Sequence, residues 1–154
     1  MTHYFLDSSA LIKRYVVEVG TIWIRSITTR SAGNIITIAH ITQAEVVSGA
    51  MRRKRDGTIA VRTAHATRLL VDRHASREYR VIGLTAQIIQ RAEDLLEMHQ
   101  LRAYDSIQLA SALESNARLV AAGLPAITFV SADNRLLTAA AVEGLTINDA
   151  NAHP

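Results

Sequence analysis

Hydrophobic residues fall into two rhythms along this chain. Short runs rich in β-branched and aromatic residues occur at 4–6, 34–39, 80–83, 126–130 and 145–148, and they read as buried strands. Between them the apolar positions recur every three or four residues, the spacing of one helix face. Residues 9–19 carry Leu11, Ile12, Tyr15, Val16 and Val19 in that spacing and stop at Gly20; residues 21–31 form a second such stretch, with Ile22, Trp23 and Ile27 facing inward. A third helix runs from 42 to about 55, and Asp56-Gly57 breaks it before a fourth at 58–76.

Residues 85–100 place Ile88, Ile89, Ala92, Leu95, Leu96 and Met98 on one face. The helix from Tyr104 or Asp105 to about 122 differs. Ile107, Leu109, Ala110, Ala112 and Leu113 leave its first turns apolar on most sides, which predicts a helix buried in the middle of the fold. Gly123 and Pro125 end it, and a last helix covers 134–143. Strands alternating with helices or helix pairs predict an α/β fold: a parallel sheet with right-handed crossovers and helices on both faces.

Length fits one domain over residues 1–150, followed by a loose tail at 151–154. At 154 residues and 49% hydrophobic content the chain can build one substantial core. It has no cysteine, so disulfides and thiolate metal sites are excluded and a reducing compartment is expected. Neither a secretion signal nor an 18-residue apolar run is present, so no membrane is expected and the cytoplasm is the default location.

Charge changes the picture more than composition does. Residues 50–80 hold nine basic and three acidic side chains, whereas the rest of the chain holds eight and eleven. That asymmetry suits a protein that holds a polyanion on one side and gathers carboxylates on another. Arginines that merely solvate a helical hairpin are the plainer reading of the same feature.

Four acids share one kind of position. Asp7 follows the first strand, Glu45 lies in the first turn after the second, Asp105 opens the buried helix, and Asp133 follows the fourth strand. Parallel strands deliver Asp7, Glu45 and Asp133 to the carboxyl edge of the sheet, where open α/β folds bind ligands. Asp105 joins them if its helix has its amino end at that edge. Each acid also has a structural reading: Thr42-x-x-Glu45 is a capping box, and Asp7, Asp105 and Asp133 are good helix caps. Capping alone does not explain an acid at the head of the most apolar helix, where an ionised group is costly unless paired or coordinated.

Carboxylates gathered in a partly dry cleft repel one another, and a divalent cation removes that cost. All-oxygen donors favour hard ions, so Mg2+ or Mn2+ is expected and zinc is not. Such a pocket beside a basic flank suits metal-assisted attack of water on a phosphodiester.

Four segments together resemble the PIN-domain ribonucleases, and among them the VapC-type toxins of toxin-antitoxin pairs: Tyr-Phe-Leu-Asp7-Ser-Ser9-Ala-Leu, Thr-Gln-Ala-Glu45-Val, Leu-Arg-Ala-Tyr-Asp105-Ser-Ile-Gln-Leu-Ala and Phe-Val-Ser131-Ala-Asp133-Asn-Arg-Leu. The resemblance spans nearly the whole chain. It implies a PIN-like three-layer sandwich with four or five parallel strands, and a Mg2+- or Mn2+-dependent endoribonuclease held inactive by a cognate antitoxin, usually as a homodimer. Asp7, Glu45, Asp105 and Asp133 would be the catalytic and metal-binding quartet, with Ser9 and Ser131 supporting it. Some members carry a further acid soon after the fourth; here Asn134, Arg135 and Leu136 follow Asp133, which implies one tightly held ion.

Lys13, Arg14, Arg52, Arg53, Lys54 and Arg55 are the candidate contacts to an RNA backbone, with solvent-exposed helix residues as the competing reading for Lys13 and Arg14. The six histidines lack ligand spacing. Trp23 and Tyr15 lie on apolar helix faces and are read as core or dimer contacts. A non-catalytic module on the same fold, binding RNA or a partner protein, is the alternative function. A receiver-type phosphoryl-transfer domain fits less well, lacking paired acids after the first strand and a late-strand lysine.

Overall fold

A computed structural model describes all residues from Met1 to Pro154. Five parallel strands form one sheet in the order β3-β2-β1-β4-β5: β1 His3–Leu6, β2 Ile35–Ala39, β3 Tyr79–Ile82, β4 Thr128–Ser131 and β5 Thr146–Asp149. The central strand β1 pairs with β2 and β4, with Phe5 opposite Thr37 on one side and Phe129 on the other. Every strand therefore ends at the same edge.

Helices cover both faces, as an all-parallel sheet requires. On one face lie α1 (Ser8–Leu11), α2 (Thr21–Thr28), α3 (His40–Arg55) and α4 (Val61–Arg77); on the other lie α5 (Ala86–Met98), α6 (Ala103–Ala121) and α7 (Asn134–Val142). Strand alternation divides the core accordingly. Phe5 and Phe129 point to the α5–α7 side and stack at 5.9 Å among Ile88, Leu95, Leu109 and Leu136. Leu6 and Val130 point the other way, into Leu11, Ile24, Val46 and Val71. The three-layer α/β architecture expected from the sequence is the one observed.

The local departures have physical causes. The helix expected over 9–19 breaks after Leu11 into a 3-10 turn, Ile12–Arg14, and then a loop. Lys13 is the reason: its Nζ reaches forward to Glu18 Oε1 at 3.1 Å and to the Val19 carbonyl at 2.9 Å, folding the loop back on the turn. Gly20 closes that loop at φ +86°, and a Cβ there would lie 2.1 Å from the Ala150 carbonyl oxygen, so only glycine fits. Ile22 faces solvent instead of the core; Ile24 and Ile27 take the inward positions.

The capping box expected at Thr42 does not form. Helix α3 starts two residues earlier, at His40 after Ala39, and Thr42 and Glu45 both turn toward α6. On α5 the buried stripe is narrower than expected, since Ile89, Leu96 and Met98 remain exposed while Ile88, Ala92 and Leu95 are buried. The residues expected to be a loose tail are docked. Ala150–Ala152 form a 3-10 turn, Asn151 donates to the Ala132 carbonyl, and the His153 ring stacks on Trp23 at 3.9 Å and 9°.

Candidate functional site

Asp7 sits where the central strand ends, and three donors fix it. The Ala10 amide donates to Oδ1 at 2.9 Å, Ser131 Oγ donates to Oδ2 at 2.8 Å, and Ser9 Oγ lies 2.8 and 2.9 Å from the two oxygens. Both serines also accept backbone protons from the loop after β4, Ser9 from Ala132 and Ser131 from Asp133. The two hydroxyls thus tie the loop after β1 to the loop after β4 through one carboxylate. Only 3% of Asp7 is exposed. Burial pushes its carboxyl up to about 6, against the pull of these hydrogen bonds and with a further push from Asp105.

Asp133 caps α7: its Oδ1 accepts from the Arg135 and Leu136 amides at 2.8 and 3.2 Å, which leaves Oδ2 without a protein donor. The cap and site readings coexist at Asp7 and at Asp133, because in each case a cap fixes an oxygen at the carboxyl edge. Asp105 is not the N-cap of α6, a position that Arg102 holds; from the third residue of the helix its carboxylate accepts a hydrogen bond from the Arg102 backbone and none from a side chain.

Glu45 is held from α6. Gln108 Nε2 donates to Glu45 Oε2, and Thr42 Oγ1 donates to Gln108 Oε1 at 3.0 Å. Thr42 and Gln108 are buried, so the orientation of the amide follows from its two partners. Sequence reasoning missed Gln108 and read Thr42 only as a helix cap. A glutamine three residues after Asp105, on the same face of a helix otherwise lined with small and apolar residues, was the available signal.

Asp105 is the electrostatic centre of the quartet. Its charge raises the Asp7 and Glu45 carboxyls, and Asp133 raises its own, in each case after desolvation as the larger cause. Arg102 and Arg135 offset part of that repulsion at Asp105. Sequence reasoning did not single out either arginine.

Asp105 lies within electrostatic reach of the other three acids, but no three of the four close on a single coordinating point. The residues nevertheless suit a hard divalent cation. The donors are all oxygens, they repel one another, and Asp133 keeps an oxygen, Oδ2, that no protein donor fills.

The cleft beside the acids holds about 380 Å3, and Lys13, Arg52, Arg53 and Arg102 line it together with Glu45 and Asp105. Of the candidate RNA contacts, Arg52 is exposed in this cleft. Lys13 and Arg53 also line it, but Glu18 holds both, its Oε1 on Lys13 and its Oε2 on Arg53 Nη2 at 2.9 Å. Lys54 and Arg55, in the last turn of α3, line no part of the cleft. Arg14 is a correction. The 3-10 turn aims it at the amino edge of the sheet, where it donates to the Tyr79 hydroxyl and pairs with Glu78 at 3.0 Å. Tyr79 opens β3, so Arg14 stands at the opposite end from the acids.

An α/β sheet with four acids at its carboxyl edge defines a broad class; comparison with known proteins narrows it. The sequence pattern that defines the PIN domain matches residues 4–142, and the chain belongs to that family. Among solved structures the chain is similar to VapBC2 from Rickettsia felis bound to a DNA fragment of its promoter, at 14% identity and TM-score 0.64 over 96% of this chain and 98% of that one. It is also similar to Mycobacterium tuberculosis VapC20, described as a toxin that cleaves the sarcin-ricin loop, at 15% identity and TM-score 0.60 over 98% and 99%. A toxin-antitoxin complex from Klebsiella pneumoniae matches at 17% identity and TM-score 0.57 over 86% and 88%. No curated protein sequence matches. No helix is long and apolar enough to cross a membrane.

Proposed function

We propose that this PIN-domain protein is a VapC-type toxin: a cytoplasmic endoribonuclease, dependent on Mg2+ or Mn2+, inhibited by a cognate antitoxin and acting as a homodimer. One observation carries the reading. Asp105, at the head of α6, is within electrostatic reach of Asp7, Glu45 and Asp133, which come from three other segments. Toxin and toxin-antitoxin structures among the similar folds support it.

Asp7, Asp105 and Asp133 would hold the cation, with Glu45 at the rim. A bound divalent ion supplies Lewis acidity and an activated water at neutral pH. Gln108 and Ser8 both hold the Glu45 carboxylate, which stands at the cleft as the group that would take up a proton during hydrolysis. Its raised affinity for protons suits that task. Arg52 and Arg102 flank the cleft and would offset the charge of the phosphate under attack.

Cleavage of a structured RNA by the purified protein tests this reading: it should require Mg2+ or Mn2+ and stop with EDTA. Cleavage that persists without metal contradicts it. The open spacing of the acids favours a second reading, a non-catalytic RNA- or partner-binding module. RNA binding that ignores EDTA, with no cut in any RNA, would establish that one.

A further inference from the structure

Beside the acidic cleft lies a larger trough of about 520 Å3, and it shares Ser8, Glu45 and Arg52 with the cleft. Its floor is one face of α3. Ile41, Ala44, Glu45, Ser48 and Arg52 follow one another at helical spacing, and the small side chains of Ala44 and Ser48 keep that face shallow. The opposite wall is Tyr104, in the first turn of α6.

Tyr104 has no structural employment. Tyr4 packs edge-on against Trp23, and Tyr15 and Tyr79 hydrogen-bond each other, but Tyr104 has neither an aromatic nor a hydrogen-bond partner and is 62% exposed. A large ring left bare at a pocket wall loses apolar burial that the fold could have used. Its place in the chain gives it a use. Tyr104 directly precedes Asp105, so their Cα atoms are about 3.8 Å apart. A flat group lying on the Tyr104 ring would have its neighbouring backbone at the acids.

We propose that this trough takes one unpaired nucleobase of the RNA substrate, stacked on Tyr104, next to the phosphate that faces Asp105 and Glu45. The proposal rests on the nuclease reading above and adds to it a subsite. Three features favour a base over a protein side chain. The trough shares its lining with the acidic cleft, exposed Arg52 lies on the boundary for a flanking phosphate, and Ser48 offers a hydroxyl to the base edge. Stacking needs a base outside a duplex, so the strand must be single or the base turned out of a loop.

A short single-stranded RNA carrying 2-aminopurine tests this by fluorescence, with calcium replacing magnesium and the strand checked to be intact. Wild type should bind and quench the probe. Tyr104→Ala should weaken binding on the order of tenfold and lose the quenching, the scale of one lost base-aromatic stack. Tyr104→Phe should behave like wild type, while Tyr104→Leu, apolar but not aromatic, should fall near the alanine variant. All four proteins should melt alike, since the side chain is exposed. The same affinity and quenching in Tyr104→Ala as in wild type would overturn the proposal and leave the trough to a protein segment. If wild type binds no RNA at all, the nuclease reading falls and the proposal with it.

Discussion

Gln108 on α6 donates its side-chain amide to Glu45 on α3, and Thr42, one turn before Glu45, donates to the other end of the same amide. The glutamine therefore sets the position of the carboxylate. Gln108→Leu leaves the Thr42 hydroxyl and Glu45 Oε2 without their buried partner. The expected cost is about 1–3 kcal/mol of stability, read by urea unfolding, together with a fall in cleavage rate and little change in RNA affinity. An unchanged rate would show that Glu45 needs no orienting.

The Asp7 carboxyl, raised from 3.8 to about 6, makes stability depend on pH. The folded state holds this proton more tightly than the unfolded chain, so as pH rises from about 4 to about 6 the unfolded chain releases it first. Stability falls across that window, by about 3 kcal/mol in total. Asp7→Asn removes this contribution. The variant should match wild type near pH 4 and exceed it near pH 7, by up to that amount, and unfolding curves at the two pH values compare them. Glu45 and Asp105 are shifted in the same direction and keep part of the slope in both proteins.

Ser131 is fully buried and its hydroxyl is shared between Asp7 and the Asp133 amide. Ser131→Ala removes a donor that favours the ionised carboxylate and an acceptor for a backbone proton. Asp7 should then hold its proton to a higher pH, and stability should drop by about 1–2 kcal/mol. The shift of the unfolding pH profile between the two proteins reads the first effect, and the midpoint at fixed pH the second.

Two arginines separate binding from folding. Arg52→Ala removes an exposed cation of the cleft, and the slope of RNA affinity against salt should fall by about one charge with the melting temperature unchanged. Arg14→Ala removes the partner of Glu78 and Tyr79 at the far edge. It should lower the melting temperature and leave the salt slope alone. The reverse pattern would mean that RNA crosses the other end of the sheet.

The sheet was legible because its strands are short, β-branched and separated by helical spacing, and three of the four acids reach one edge by parallel topology alone. Asp105 was less so, since its place depends on how α6 packs, and packing is not periodic. Harder still was the break after Leu11. Residues 9–19 have faultless helical spacing, yet the pairing of Lys13 with Glu18 and the close approach of Gly20 to Ala150 override it. The contact with Ala150 joins positions far apart in sequence, as does the stacking of His153 on Trp23 that makes a docked end of an apparent tail. Arg14 was misplaced for a related reason: a 3-10 turn rotates its side chain away from where an α-helix would hold it.

The role of the carboxylate quartet is tested most directly by comparing RNA cleavage by wild type and Asp105→Asn in magnesium, with thermal melts of both. The substitution keeps the shape of the side chain and removes the charge that links the other three acids. Wild type should cut RNA, the variant should lose cleavage by a hundredfold or so, the scale of one positioned catalytic group, and it should melt no lower than wild type, since burial and Asp133 both disfavour the charge that is removed. A folded Asp105→Asn protein that cuts RNA at the wild-type rate would contradict the assignment of Asp105 to the catalytic centre.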